Sequence, residues 1–314
     1  MRVNTQKRKK SRLFKKRGIH QKKHNLRLTR NNKLPIYYIG GDKNKCIFLE
    51  LSGGGLGNQL YMYAAAITAK NKLGLPICIL NTTNHHSKAD YRKILFKQAI
   101  SVEKGEVQQR VTTSKVILNS LKQPHNKWST NNIAANNSTN ILIDGKRHYQ
   151  NYSSIQSVIP TIRDDCKNIF EDRYKGFKDT IDSKSAFMHI RKGDYGGASL
   201  DGSYYIHGMS ILDAVPEITS IYILSDDIPW SKSQGFTSSK IKWFDSEDSK
   251  DELKALYLMS LCLGGACISA STFSSWGAIL GADQNETSKI VYPKSVFIPP
   301  NVSVKFEPKE SNVA

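Results

Sequence analysis

The sequence predicts an α/β protein with parallel strands, because the same strand, helix and strand alternation occurs in both halves of the chain. Residues 47–51 are apolar and strand-like, residues 60–73 form an Ala-rich segment of helical composition, and residues 77–80 are again apolar. This order of elements is typical of a parallel sheet. From residue 186 onward, short apolar runs again alternate with longer segments of helical pattern. The chain is long enough for two such domains.

A glycine-rich segment at 53–59 separates the first predicted strand from the first predicted helix. Gly55 and Gly57 match the first half of a dinucleotide-binding fingerprint, but Leu60 stands where the third glycine belongs. The Lys-Ser/Thr pair of a P-loop is also missing. We therefore expect a loop in which the backbone approaches an anion ahead of a helix N-terminus, with the amide of Asn58 close by. A tight turn that serves only packing is the alternative.

The remaining elements are predicted from apolar periodicity and from turn residues. The second half contains strands at 186–190, 220–224, 241–244, 266–270 and 290–292. It also contains helices at 204–215 and 251–262, and a third helix that follows the segment 271–277 and ends at Leu280. Between the two α/β segments the chain is polar, with a flexible loop predicted at 126–140 and a helix at 155–170. We place the domain boundary near residue 180, which gives domains at 34–180 and 181–314.

Polar residues cluster where three predicted strands of the second half end, at 189–194, 225–227 and 271–275. Because the carboxyl ends of parallel strands lie at one edge of a sheet, where ligands bind in open α/β folds, these clusters predict a binding site. Arg191 offers a planar, permanently charged fork suited to phosphate oxygens, and Lys192 adds a second cation. A solvated loop with one salt bridge is the alternative.

Asp226 and Asp227 admit two interpretations at this edge. Paired carboxylates can hold Mg²⁺ on a diphosphate. Because Arg191 and Lys192 would already neutralise the phosphates, we instead expect the two acids to accept hydrogen bonds from a sugar hydroxyl or from a base N–H. We therefore expect no metal and no other cofactor.

The first 33 residues contain 14 Lys or Arg and no acidic residue, whereas the rest of the chain carries 32 basic and 27 acidic residues. The formal charge of +19 thus belongs mostly to one segment, and residues 1–33 predict a disordered basic tail. The tail suits an anionic membrane surface, nucleic acid or a nuclear-localisation-like role, or it only aids solubility. Nucleic acid is the disfavoured partner, since the body shows no zinc finger, basic helix or RNP-like motif.

No apolar stretch approaches the ~18 residues that a membrane-spanning helix requires, and the N-terminus lacks the apolar core of a signal peptide. These features predict a cytoplasmic or peripherally membrane-associated protein. The chain has five cysteines without a CxxC motif: Cys46, Cys78, Cys166, Cys262 and Cys267. We expect them to be buried thiols, and no zinc site is indicated.

Five segments together resemble the α-1,2-fucosyltransferases of glycosyltransferase family 11. They match the family's GGLGNQ-aromatic-Tyr-Ala opening and its HxRRxDY, SDDxxW, YLMSLC and STFSWWGA elements. They occur in the family's order, at 54–64, 189–195, 225–230, 257–262 and 271–278. Each motif alone would be a weak signal, but five motifs in order are a specific one.

The resemblance implies a GT-B-like fold, in which two Rossmann-like α/β halves face a cleft. It also implies an inverting, metal-independent transfer of fucose from GDP-fucose to the 2-hydroxyl of a galactose-terminated glycan. The C-terminal half, 181–314, would bind the donor, and the N-terminal half would bind the acceptor. A glycosyltransferase with another sugar nucleotide or linkage is the alternative among enzymes. A nucleic-acid-binding protein that acts through the tail is the alternative outside them.

The resemblance implies roles for individual residues as well. Arg191 would bind the diphosphate, with His189 and Lys192 in support. Apart from the resemblance, Asp194 is the carboxylate nearest in sequence to these cations, so it is a candidate general base, and the alternative is that it only orients Arg191 through an ion pair. The first half would approach the phosphates or the fucose through Gly55, Gly57 and Asn58. The nucleotide would be held by Ser225, Asp226, Asp227, Ser271, Thr272, Phe273, Ser274 and Ser275. The candidate catalytic residues are Arg191, Asp194 and Asn58.

Three positions depart from the family pattern. Lys192 replaces the second Arg of HxRRxDY, which keeps the charge but loses the bidentate fork. Ser275 replaces the first Trp of STFSWWGA. Ala255 stands where the family has an acid suited to reading guanine, which weakens the expectation of strict GDP specificity.

Overall fold

The computed structural model describes eight ranges of the chain: 46–51, 54–80, 91–102, 141–143, 149–193, 199–244, 251–293 and 303–306. Three predictions fall outside these ranges, namely the basic tail at 1–33, the loop at 126–140 and the side chain of Asp194. Within the described ranges the chain forms two parallel β-sheets and the helices that connect their strands.

The first sheet consists of four parallel strands in the order β3-β2-β1-β4. Their bounds are β1 (Ile47–Glu50), β2 (Ile77–Leu80), β3 (Ala99–Val102) and β4 (Ile141–Ile143). In register, Ile47 of β1 lies opposite Ile77 of β2 on one side and Ile141 of β4 on the other. The strand order therefore reverses at β1, the strand that leads into the glycine-rich segment.

The second sheet consists of six parallel strands in the order β10-β9-β8-β5-β6-β7. Their bounds are β5 (Ala186–Ile190), β6 (Ile221–Ser225), β7 (Ile241–Trp243), β8 (Gly265–Cys267), β9 (Lys289–Pro293) and β10 (Ser303–Phe306). This is the doubly wound order of a Rossmann sheet, and it reverses between β5 and β8. The predicted α/β class with two Rossmann-like sheets, as in GT-B-like folds, is confirmed.

Eight α-helices lie within the described ranges. In the first half they are α1 (Leu56–Leu73), α2 (Tyr91–Ile94), α3 (Tyr152–Ile155) and α4 (Ile159–Arg173). In the second half they are α5 (Gly202–Asp213), α6 (Ile228–Ser233), α7 (Glu252–Leu261) and α8 (Thr272–Leu280). None of them is long and apolar enough to cross a membrane.

Helices α1 and α8 begin earlier than the sequence predicts. Helix α1 starts at Leu56, four residues before the expected start, so Gly57 and Asn58 belong to its first turn instead of a preceding loop. Helix α8 starts at Thr272, so most of the hydroxyl-rich segment 271–275 is also helical. Both motifs therefore form helix N-termini, where backbone N–H groups lack partners within the helix.

The two helices pack against each other in a core that both halves of the chain share. The rings of Tyr61 on α1 and Trp276 on α8 lie 5.1 Å apart between centroids. Arg163 of α4 donates a hydrogen bond of 2.7 Å to the carbonyl of Ile279 on α8. The Tyr152 hydroxyl of α3 donates to the carboxylate of Asp283 at 2.8 Å. The first turns of α1 and α8 are thus held together by the core beneath them.

Candidate active site

The candidate site lies at the carboxyl ends of the strands in the second sheet. Arg191 follows β5 directly, Asp226 follows β6 directly, and Ser271 stands at the start of α8, after β8. Since β5 pairs with both β6 and β8, the three predicted polar clusters come to one edge of the sheet. The reversal of strand order between β5 and β8 creates a crevice at this edge, the usual ligand position in such sheets.

The carboxylate of Asp226 holds the segment that follows β5. Its Oδ2 lies 3.3 Å from Nε of Arg191. Its Oδ1 accepts hydrogen bonds from the backbone N–H groups of Lys192, at 2.7 Å, and Gly193, at 3.1 Å. The side chains of the ion pair are 33% and 27% exposed, so the pair contributes on the order of 1 kcal/mol or less to folding. Its main effect is to fix the orientation of the guanidinium.

Asp227 and Ser225 organise the turn between β6 and α6. The carboxylate of Asp227 accepts a hydrogen bond of 2.9 Å from the backbone N–H of Trp230, which caps the N-terminus of α6. The hydroxyl of Ser225 accepts hydrogen bonds from the backbone N–H of Asp227, at 2.9 Å, and from the hydroxyl of Ser231, at 2.8 Å. Both residues, predicted to hold a nucleotide, therefore have structural partners within the protein.

The side chain of Lys192 packs onto α6. Its ammonium lies 4.6 Å from the ring centroid of Trp230, in a cation–π contact, and donates a hydrogen bond of 3.1 Å to the hydroxyl of Ser199. The family's second Arg is therefore replaced here by a side chain with its own partners. Trp230 belongs to the SDDxxW element, so that motif also supplies the aromatic face for Lys192.

His189 is buried near the end of β5 and joins that strand to the segment after β8. Its Nδ1 lies 3.1 Å from the hydroxyl of Ser269, and its ring meets Phe273 edge-on at 5.5 Å between centroids. Burial, aided by the nearby charge of Arg191, lowers the pKa of His189 from 6.5 to about 4, against the opposing effect of Asp226. The imidazole is therefore neutral at pH 7 and adds no positive charge to the site.

The hydroxyl-rich segment at the start of α8 makes its hydrogen bonds mainly within the protein. The hydroxyl of Ser274 accepts from the backbone N–H of Ser269 at 3.1 Å, and the hydroxyl of Ser275 donates to the carbonyl of Ser271 at 3.1 Å. Ser274 and Ser275 are both buried. Ser271 is the N-cap residue, and its side chain makes no capping bond within the described part of the chain. The segment thus offers a ligand its helix N-terminus more than its hydroxyls.

Asn58 connects the two helix N-termini. Its Oδ1 accepts hydrogen bonds from the hydroxyl of Thr272 on α8, at 2.9 Å, and from the side-chain amide of Gln150, at 3.0 Å. Gln150 was not predicted, because it follows a polar stretch in which the sequence carries no periodic signal. Asn58, predicted as a catalytic residue, is placed by these contacts as a link between the halves.

The glycines of the GGLGNQ element have different surroundings. A Cβ at Gly57 would overlap with the backbone of Thr272 and Phe273, so this glycine allows α1 to approach α8 closely. Gly54 has a φ of 79°, a left-handed conformation that favours glycine. A Cβ at Gly55 would have no neighbour within 4 Å among the described residues. Gly55 therefore lies where a ligand could approach the backbone, whereas Gly57 serves packing.

No group of three or more His, Cys, Asp or Glu side chains in the described ranges could hold a metal ion. Asp226 and Asp227, the pair considered for Mg²⁺, are engaged by the backbone instead. Metal independence stays a prediction that requires a chelation experiment.

Comparison with known proteins identifies one family. The model of "Glycosyl transferase family 11" matches residues 53–298, which is more than three quarters of the chain. No curated protein sequence matches the chain.

Several solved structures resemble the fold at low sequence identity. NodZ, an α-1,6-fucosyltransferase soaked with GDP-fucose, is 12% identical to this chain with a TM-score of 0.45. The match covers 76% of this chain and 93% of NodZ. A structure of NodZ from Bradyrhizobium is 13% identical with a TM-score of 0.44. POFUT1 in complex with GDP-fucose is 11% identical, with a TM-score of 0.42 and coverage of 86% and 99%. The E. coli heptosyltransferase WaaC is 7% identical, with a TM-score of 0.44 and coverage of 84% and 93%. These likenesses are too distant to support a substrate.

The close approach at Gly57 predicts that Gly57→Ala destabilises the protein. Alanine is the better helix former, but its Cβ would push against backbone, and overpacking typically costs about 1–3 kcal/mol of unfolding free energy. The matched variant Gly55→Ala places a Cβ in open space at a φ of −74°, and we expect a change below about 1 kcal/mol. Urea denaturation of both variants measures the difference. A Gly57→Ala protein at least as stable as the parent would contradict the packing role.

The lowered pKa of His189 predicts a specific dependence of stability on pH. Because the unfolded chain takes up the proton first, the contribution of neutral His189 is complete above pH 6.5 and is lost as the pH falls toward 4. Between pH 7 and pH 5 the parent should lose about 2 kcal/mol of unfolding free energy that His189→Gln does not lose. The exposed His207 on α5 supplies the control variant His207→Gln. If the unfolding free energies of the parent and of His189→Gln change equally with pH, the lowered pKa of His189 is refuted.

Proposed function

The chain belongs to glycosyl transferase family 11, and we propose that it transfers fucose from GDP-fucose to the 2-hydroxyl of a galactoside, with inversion and without a metal. The observation that carries the proposal is a guanidinium held in a fixed orientation at the strand-order reversal of the second sheet. Arg191 follows β5 there and is oriented by Asp226. A permanently charged planar fork at this position suits a diphosphate.

The electrostatics of the site fit the departure of a nucleoside diphosphate. Cleavage of the bond between a sugar and a phosphate builds positive charge on the sugar and negative charge on the leaving diphosphate. A fixed cation and oriented backbone N–H groups stabilise that negative charge without having to reorganise during the reaction. Arg191 supplies the cation, and the N-terminus of α8 supplies N–H groups at the same sheet edge.

Asp194 is the proposed general base for the acceptor hydroxyl. The competing role, to orient Arg191 through an ion pair, is performed by Asp226. His189 is a poor alternative base, because it is buried and its Nδ1 is already paired with Ser269. A base must come within hydrogen-bond reach of the proton that it removes, and the segment that contains Asp194 directly follows the loop held by Asp226.

A glycosyltransferase with looser nucleotide specificity is the second candidate, and α7 carries the observation that favours it. Residue 255 is a buried alanine, and its methyl side chain offers no carboxylate to a guanine. The two acids one turn earlier have other partners. Asp251 caps α7 and accepts a hydrogen bond of 2.6 Å from the hydroxyl of Tyr174, and Glu252 accepts one from the hydroxyl of Tyr91. Asp251 or Glu252 would therefore have to break its present hydrogen bond before its carboxylate could contact a guanine.

The proposal predicts fucosyl transfer that survives metal chelation. Purified protein with GDP-fucose and EDTA should convert a β-galactoside into an α-1,2-fucosylated product, identified by NMR through its linkage and anomeric configuration. The matched 2-deoxygalactoside lacks the acceptor hydroxyl and should give no product. GDP should raise Tm more than UDP does. Transfer to the 2-deoxygalactoside, loss of activity in EDTA, or preference for a UDP-sugar would each contradict one part of the proposal.

The role of Arg191 is tested in the same assay. Arg191→Ala should lower kcat by at least about 100-fold, because loss of one preorganised donor to the developing charge costs about 2.7–4 kcal/mol of barrier. Arg191→Lys, which keeps the charge but not the fork, should be intermediate. An Arg191→Ala enzyme with more than about a tenth of parental turnover would rule out the assigned role, since that loss is under ~1.4 kcal/mol.

A further inference from the structure

Two cysteines meet at the amino ends of β1 and β2. The Sγ atoms of Cys46 and Cys78 lie 2.7 Å apart. Cys46 directly precedes β1, and Cys78 is the second residue of β2. In register, Phe48 lies opposite Cys78, so Cys46 is placed diagonally to Cys78, two residues from its direct partner. Residues 46 and 48 point to the same face of a strand, and the two thiols therefore share one face of the sheet.

We propose that Cys46 and Cys78 are a site of oxidative modification, at which the two thiols form a disulfide. A disulfide requires sulfur atoms at about 2.05 Å on neighbouring backbones. The backbones of β1 and β2 are already paired as sheet neighbours. Because the two residues are diagonal in the register, the strand spacing and rise place their Cα atoms roughly 8 Å apart, so the bridge requires side-chain rotation together with a shift of the backbone at Cys46, which directly precedes β1.

The other three cysteines are poor competitors for oxidation. Cys166, Cys262 and Cys267 are fully buried, and burial raises the pKa of Cys166 and of Cys267 to about 12 and also raises that of Cys262. The thiolate is the reactive form of cysteine, so these three thiols react slowly at neutral pH. Cys46 is half-buried and therefore accessible to a reagent, whereas Cys78 is buried behind it, with 6% exposure.

The chemistry balances with a small-molecule disulfide, such as glutathione disulfide, as the oxidant. The Cys46 thiolate attacks one sulfur of glutathione disulfide, which forms a mixed disulfide and releases one glutathione thiolate. The Cys78 thiolate then attacks the Cys46 sulfur and releases the second glutathione. The two protein thiols lose two electrons and two protons, and one glutathione disulfide becomes two glutathione molecules.

The crosslink would close a loop that contains β1, α1 and the start of β2. The two cysteines are 32 positions apart, and a bridge over this span restricts the unfolded chain. The pair lies toward the amino ends of β1 and β2, whereas Gly54 and Gly55 follow the carboxyl end of β1 in the chain. Oxidation should therefore stabilise the first sheet and leave the candidate active site in place, so the proposal does not depend on the proposed function.

Mass spectrometry of the full chain tests the proposal directly. The parent protein is equilibrated in glutathione buffers from fully reducing to fully oxidising, quenched in acid, alkylated and digested without reduction. We expect a peptide that links Cys46 to Cys78 to replace the two alkylated peptides as the buffer becomes oxidising. The oxidised protein should melt several degrees higher than the reduced protein.

The variant Cys78→Ser separates a bridge from simple surface reactivity. It removes the second step, so Cys46 should accumulate as the mixed disulfide with glutathione, which the parent should not retain. Cys166→Ser is the matched control and should form the Cys46–Cys78 bridge as the parent does. The proposal is overturned if the fully oxidised parent, folded by circular dichroism, shows no linked peptide, retains glutathione on Cys46, or links another pair of cysteines.

Discussion

The carboxylate of Asp226 is the interaction on which the candidate site depends. It pairs with the guanidinium of Arg191 and accepts two backbone N–H groups of the segment after β5. Removal of this carboxylate would break contacts to both the cation and the backbone beside it. Because the ion pair is partly exposed, it contributes little to the free energy of folding, and its main effect is to orient the guanidinium. Orientation is what a site needs if it must stabilise charge that appears only in the transition state.

A second constraint is the junction between the N-termini of α1 and α8. Gly57 lets the two helices approach, and Asn58 joins Thr272 of α8 to Gln150 of the first half. Beneath this junction lies a core to which both sheets contribute, with Tyr61 packed on Trp276. The segments that match the GGLGNQ and STFSWWGA elements are far apart in sequence but pack against each other in the structure. Substitutions at the junction should act on packing before they act on chemistry.

The sequence predicted the fold class, most strands of the second sheet and the edge at which polar residues gather, because apolar strands followed by turn residues are a local signal. It could not predict β3, β4 and β10, which are short and flanked by polar segments. It also missed the true starts of α1 and α8, because glycine and serine usually indicate a loop. Only the folded chain shows that Gly57 and Ser274 lie inside first turns.

The partners that individual site residues have within the protein could not be predicted from the sequence, for a physical reason. The motifs predict a ligand site, and the structure adds that Asp227 caps a helix, Lys192 packs on Trp230 and Ser275 bonds its own helix. A sequence motif records which residues a site requires, but it does not separate those that touch the ligand from those that hold them. That separation depends on hydrogen-bond partners and burial, which exist only after long-range packing.

The central claim is that Asp226 acts through Arg191, and a double-mutant cycle tests it most directly. The measured quantity is kcat/KM of fucosyl transfer for Arg191→Ala, Asp226→Ala and the double variant, with Asp226→Asn as the variant that keeps an acceptor for the two backbone N–H groups. We predict that Asp226→Ala is harmful in the parent but nearly without effect once Arg191 is gone, with a coupling of at least about 1.4 kcal/mol, or tenfold. Independent, additive losses would show that Asp226 serves another purpose and would contradict the account.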